Sequence, residues 1–226
     1  MWDITKKVIL REEVGVAQVE EAEAVALRAA GVINFPDDEI RFVTHIIFSL
    51  MNLWHDIPAG TEEKMNVIIE IPKYSKNKYE IDKETGLIAL DRVMHSAQDY
   101  PFDYGFVPQT YWHDDDALDV ILLTTYPLAP GILVRARAVA LLEMIDSGDN
   151  DNKVIAVPTD DPRWDNVRDE GDINPHTMKE IEHFFGTYKK LQNKEVTVSG
   201  ITDKAAARAA FAESRKMYGE KFPEGK

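Results

Sequence analysis

The chain has 226 residues, 44% of them hydrophobic, a formal net charge of −14 and no cysteine. That length allows one domain with a sizeable core and room for an appendage; the lack of cysteine excludes disulfides, zinc–thiolate centres and a thiol nucleophile, and suits a reducing cytoplasm. The acidic balance argues against a basic face for a nucleic-acid backbone, no apolar run is long enough to span a membrane, and Met1 to Lys7 carries no secretory signal.

In chain order, the sequence divides near residue 50. Residues 12–30 are rich in Ala, Glu and Val and stop at Gly31, which predicts a helix, and residues 40–50 read as β-like. This leader holds nine acids and five bases, about −4 of the charge, and shows no chemical motif. Met51 is the first methionine after Met1. Residues 1–50 are therefore an N-terminal extension with two open readings: a segment that packs on the domain or a neighbour, or upstream sequence translated ahead of the true start. Residues 51–226 are expected to form the functional domain.

From residue 66 the signals are mostly β. Asn66 to Ile71 is a short apolar strand stopped by Pro72. Tyr79–Asp82 and Leu87–Leu90 flank Lys83-Glu84-Thr85-Gly86, a hairpin turn. Further strands are expected at 120–123, 132–142, 154–157 and 196–199. Two helices follow late. One runs from Pro175 to Leu191, with Met178, Ile181, Phe184, Tyr188 and Leu191 spaced to share a face; the other runs from about Asp203 to Tyr218. Many short strands and two late helices predict a mainly β, α+β fold, a closed or nearly closed barrel with the helices packed on it.

Asp114-Asp115-Asp116-Ala117-Leu118-Asp119 puts four carboxylates in six residues, directly before an apolar strand. Crowded carboxylates repel one another, and a hard cation such as Mg²⁺, Mn²⁺ or Ca²⁺ relieves that repulsion. An Asp-x-Asp pattern is also common in plain turns. An EF-hand loop fails, because its sixth and twelfth positions would be Asp119 and Thr125. A second acidic loop, Asp146 to Lys153, lies between expected strands and reads either as a polar hairpin or as a second source of ligands. Lys78, Arg92, Lys153, Lys189, Tyr188 and the pair Tyr100 and Tyr104 add cationic and phenolic groups that suit phosphate oxygens. Singly, each Lys reads as a surface group and each Tyr as core; together with the carboxylates they point to phosphoryl transfer to water.

In these residues the chain resembles the prokaryotic-type family I soluble inorganic pyrophosphatases. The match runs in order from about Asn52 to Lys221: Val67 to Pro72, Lys78 to Asp82, Asp91-Arg92, Tyr100-Pro101, Tyr104-Gly105, Asp114-x-Asp116-x-x-Asp119-Val120, Tyr126 to Gly131, Asp146 to Pro158, His183 to Phe185 and Tyr188-Lys189. The resemblance implies a closed five-stranded OB-like barrel with two C-terminal helices, and hydrolysis of inorganic diphosphate to two orthophosphates by a metal-activated water. It implies Asp114, Asp119 and Asp151 as Mg²⁺ ligands, Asp119 bridging two ions, with Asp146 for an ion arriving with substrate. Asp116 would be the general base. Lys78, Arg92, Tyr104, Tyr188 and Lys189 would clamp the substrate, and Glu70, Glu80, Tyr100 and Lys153 would assist. Several Mg²⁺ per site are implied, with Mn²⁺ or Co²⁺ as substitutes, a cytoplasmic location, no nucleic-acid or membrane partner, and a homo-oligomer, hexameric by the same resemblance.

The family pattern usually has Pro or Glu where this chain has Ala117, which implies altered loop rigidity with the chemistry retained. Asp115 is expected to face water, and His113 to be a neighbour of the acidic loop without being a ligand. The competing readings are a phosphohydrolase of nucleoside polyphosphates and an oligonucleotide-binding barrel. The acidic charge and the lack of an aromatic–basic stripe oppose the latter.

Overall fold

A computed structural model of the chain describes residues 52–223; the helix expected over 12–30 and the β-like segment at 40–50 lie outside the described residues. The described part is mixed α+β, mostly sheet, with two α-helices. Its strands are β1 (Met65–Ile71), β2 (Asn77–Ile81), β3 (Ile88–Val93), β4 (Asp103–Phe106), β5 (Asp119–Leu122), β6 (Leu133–Asp146), β7 (Asp149–Asn150), β8 (Lys153–Pro158) and β9 (Val196–Thr202). The helices are α1 (Pro175–Thr187) and α2 (Lys204–Lys221).

Pairing runs β1-β4-β5-β8-β6, and β1 also pairs with β6, so this path of five strands returns on itself. All of its pairs are antiparallel except β5–β8. β7 and β9 add to β6. The β2–β3 hairpin forms a separate two-stranded sheet, closed by a turn in which the Asp82 N–H donates to the Leu87 carbonyl at 2.7 Å.

β5 and β8 read as unbroken apolar runs because both of their faces are covered. Val120, Leu122, Val154 and Ala156 pack in a cluster with Ala207, Ala210 and Phe211 of α2. Their alternate neighbours Ile121, Ile155 and Val157 pack with Ile181, Phe184 and Phe185 of α1. Each helix is capped as its sequence suggests. The Asn174 side chain accepts the His176 N–H ahead of Pro175, and the Asp203 side chain accepts the Ala206 N–H.

Two bulges and one close approach shape the strands locally. The β1–β4 register slips between Ile69 and Ile71, which leaves Glu70 as the bulged residue. A bulge interrupts the alternation of faces, and Glu70 is buried, as is Ile68 two residues before it. The β2–β3 register slips opposite Asp91 in the same way. Gly105 allows β4 to approach β1, since a Cβ there would lie 1.9 Å from the Ile68 carbonyl oxygen.

Three expectations differ. β4 was not expected as a strand; it is four residues long and contains a glycine. The first late helix stops at Thr187, and a 3-10 turn over Lys190–Gln192 follows, ended by Asn193 at φ 53°. Leu191 therefore leaves the shared face and is 67% exposed, while Met178, Ile181, Phe184 and Tyr188 pack in the core.

Candidate active site

The parallel β5–β8 pair decides where the site lies. Val120 is in register with Val154, so the N-terminal ends of both strands sit side by side. Asp119 opens β5, Lys153 opens β8, Asp151 precedes Lys153, and the 114–117 loop leads into β5. β6 is antiparallel to β8, so its last residue, Asp146, comes to the same end. The second acidic loop is indeed a hairpin. β6 turns into β7 through Ser147 and Gly148, both at positive φ, with Asp146 opposite Asp149. It is also the source of Asp146 and Asp151. The Trp112 Nε1–H donates to Asn150 Oδ1 at 3.1 Å and ties the two acidic loops together.

These residues surround a cavity of about 190 Å³. Glu70, Lys78, Glu80, Tyr100, Tyr104, Asp114, Asp116, Asp119, Asp146, Asp151, Lys153, Tyr188 and Lys189 all line it. Arg92 does not. It lies opposite Lys78 across the hairpin, with Nη1 on Asp91 and with Nε and Nη2 buried and, among the described residues, without a hydrogen-bond partner. A guanidinium so placed leaves three N–H donors unpaired, a need that an anion can meet.

Carboxylate oxygens of Asp114, Asp119 and Asp151 lie within 4.8 Å of one another. The Lys153 ammonium, 2% exposed, donates to Asp119 Oδ2 and Asp151 Oδ1, both at 2.6 Å. Burial works against its charge, but Asp119 and Asp151 outweigh that and hold it well above the usual lysine range. The acids bear the opposite strain. Burial, reinforced by Asp119 and Asp151, pushes the Asp114 carboxyl up to about 8. Burial also raises Asp151, with Lys153 pulling the other way, and it raises Asp116 and Glu70 with help from Asp119. An all-oxygen set of carboxylates that resist ionising together fits a hard divalent cation, whose charge would restore their ionised forms.

On the other wall, burial and then Arg92 lower Lys78, which is paired with Glu80 and lies 3.4 Å from Asp91. Burial opposes the charge of Asp146, yet contact with Lys189 prevails and holds it below the usual range. Burial raises the phenols of Tyr100, Tyr104 and Tyr188, so they stay protonated donors. Glu70 Oε1 accepts the Ile81 N–H at 2.8 Å and fastens the hairpin to β1.

Sequence reasoning missed some contacts. Lys83 of the hairpin turn reaches over the acidic loop, with Nζ 3.7 Å from Asp116 Oδ2. Asp115 is exposed as expected, but its carboxylate also accepts the Tyr111 hydroxyl. Ala117 is 3% exposed in a cluster with Trp54, Ile68 and Phe106, and its N–H donates to Asp116 Oδ1 at 3.0 Å. A proline there would have no such donor. His113 faces Glu213 at 3.3 Å and does not line the cavity.

The family model described as inorganic pyrophosphatase matches residues 67–219. A soluble inorganic pyrophosphatase of Zea mays is 46% identical over 169 residues, covering 74% of this chain and 79% of its own. An inorganic pyrophosphatase of Haloferax volcanii is 45% identical over 176 residues, covering 76% and 99%. The crystal structure of the inorganic pyrophosphatase from Thermus thermophilus superposes with a TM-score of 0.71 at 44% identity, covering 74% of this chain and 98% of that one.

Proposed function

The chain belongs to the inorganic pyrophosphatase family and hydrolyses inorganic diphosphate to two orthophosphates, and from that premise we propose how the cleft divides the work. The observation that carries the reading is the cluster of Asp114, Asp119 and Asp151 within 4.8 Å, faced by Lys78, Lys189 and three protonated tyrosines. These three carboxylates would hold Mg²⁺, with Mn²⁺ and Co²⁺ as alternatives, and Asp146 would hold a further ion. Bound there, the cations would neutralise the substrate and make its attacking water more acidic.

Asp116 takes the proton from that water. It is half-buried and lines the cavity with Asp114 and Asp119, where its carboxylate can accept that proton. Lys78 and Lys189 bind phosphate oxygens as point charges, and Arg92 binds through the donors it has free. Tyr104 and Tyr188 donate their hydroxyls to the same oxygens. Tyr100, Glu70 and Glu80 position these groups, and Lys153 balances the acid cluster. No covalent phosphoenzyme is needed. The returning path of five strands is read as a closed OB-like barrel, the chain as a cytoplasmic homo-oligomer, hexameric like the prokaryotic members it resembles, and residues 1–50 as an extension to the catalytic domain.

An Asp116→Asn variant tests this assignment. It should bind Mg²⁺ with wild-type affinity in calorimetry and lose about 10²- to 10⁴-fold in kcat, the usual worth of a general base. Wild-type turnover would show that another group takes the proton.

A further inference from the structure

Asp115 stands between Asp114 and Asp116 with its backbone in the left-handed region, at φ 66°. An L-residue there crowds its Cβ against the carbonyl, a cost that Asp bears better than most and that contacts from outside the residue offset. The turn itself is short. The Trp112 N–H donates to the Asp116 carbonyl at 2.7 Å, and the Asp115 N–H donates to the Trp112 carbonyl at 3.2 Å.

Two side chains grip Asp115 from outside this turn. The Tyr111 hydroxyl donates to its carboxylate, and Lys83 Nζ donates to its carbonyl at 2.9 Å. The Tyr111 ring is 9% exposed and stands edge-on to Phe222 at 5.9 Å, with Lys221 Nζ 5.0 Å from its centre. A ring fixed in this way delivers its hydroxyl to one place. The same Lys83 ammonium lies 5.6 Å from the Trp54 ring and within 3.7 Å of Asp116 Oδ2. The backbone of Asp115 thus sets the angle between a proposed metal ligand and the proposed base, and no part of the phosphate clamp lies on this turn.

We propose that the Tyr111 hydroxyl and the Asp115 carboxylate form a latch that keeps the 112–116 turn left-handed at Asp115 and so positions Asp116 for proton transfer. Tyr111 and Asp115 are positioning residues; they act through Asp116, and the inference rests on reading Asp116 as the base. Because the latch holds geometry and touches no substrate, its loss affects kcat and, at saturating Mg²⁺, leaves KM for diphosphate unchanged.

The test is a set of full-length variants assayed with diphosphate and Mg²⁺, each corrected for the folded fraction by thermal melting. Tyr111→Phe and Asp115→Ala should each lower kcat roughly tenfold, the population penalty of one unsupported left-handed L-residue, with KM unchanged. Asp115→Gly should restore near-wild-type kcat although it has no carboxylate, because glycine takes the left-handed form freely. Adding Tyr111→Phe to Asp115→Gly should then change nothing. Equal losses for Asp115→Ala and Asp115→Gly would overturn the latch. So would a Tyr111→Phe effect as large in the glycine background as in the wild type. Asp116→Asn, measured alongside, separates the two claims: wild-type kcat in that variant removes the base assignment without altering the comparison at position 115.

Discussion

Lys153 shows how a single residue can hold a cluster of acids together. Its ammonium, 2% exposed, lies between Asp119 and Asp151 at 2.6 Å from each, so removing it leaves buried carboxylates facing one another. Lys153→Met should cost about 3–5 kcal/mol in denaturant unfolding with chelator present, the usual result of stripping one partner from a buried ion pair. Saturating Mg²⁺ should recover much of that loss. A loss of less than about 1 kcal/mol with chelator would mean that the ammonium is not the countercharge it is taken for. At this scale the acids that gather around the cavity were legible, because four acids in six residues ahead of an apolar strand need a physical reason; the clamp roles came from the family resemblance alone. Lys83 and Tyr111 were not legible. Their contacts with the acidic loop arise only when the hairpin folds over it and when Phe222 packs behind the Tyr111 ring.

Among the elements, α1 was legible from its periodicity until the stripe was carried one turn too far. Ile181 is fully buried, whereas Leu191 lies in the 3-10 turn beyond the helix and is 67% exposed. Ile181→Ala should therefore destabilise by about 2–5 kcal/mol. Leu191→Ala should stay within about 0.5 kcal/mol, as for other surface positions. Equal costs in urea unfolding would put Leu191 back on the packed face. β4 was hidden for a different reason. Its Gly105 breaks the strand pattern, and the use of that glycine, close approach to Ile68, appears only when β1 lies beside it. The bulge at Glu70 is equally invisible in the sequence, because a bulge belongs to a pair of strands and not to one of them.

For the molecule as a whole, the fold class followed from short strands and two late helices, but the position of the site follows from one parallel pair. β5 and β8 start at the same end, which brings Asp119, Asp151 and Lys153 together across more than thirty residues of sequence. No local pattern announces a parallel pairing in an otherwise antiparallel set. The cost of gathering these acids gives stability a pH dependence. Asp114 is pushed up to about 8, and Asp116, Asp151 and Glu70 are raised, so with chelator the folded state holds more protons than the unfolded chain. Stability should then fall as pH rises from the ordinary carboxylate value of 3.8 through about 8. The raised Lys153 contributes nothing to this slope, since its stabilisation is lost only above the ordinary lysine range. A divalent cation held by these acids would bind their ionised forms, so the rise in Tm on adding Mg²⁺ should grow between those limits; a pH-independent rise would contradict the linkage. The most direct test of the central claim, a carboxylate cleft that hydrolyses diphosphate with a bound divalent cation, is phosphate release from diphosphate and from ATP, each with Mg²⁺ and with excess chelator. Fast release from diphosphate with Mg²⁺ alone is the predicted result, and undiminished release in chelator, or none from diphosphate under any condition, would contradict it.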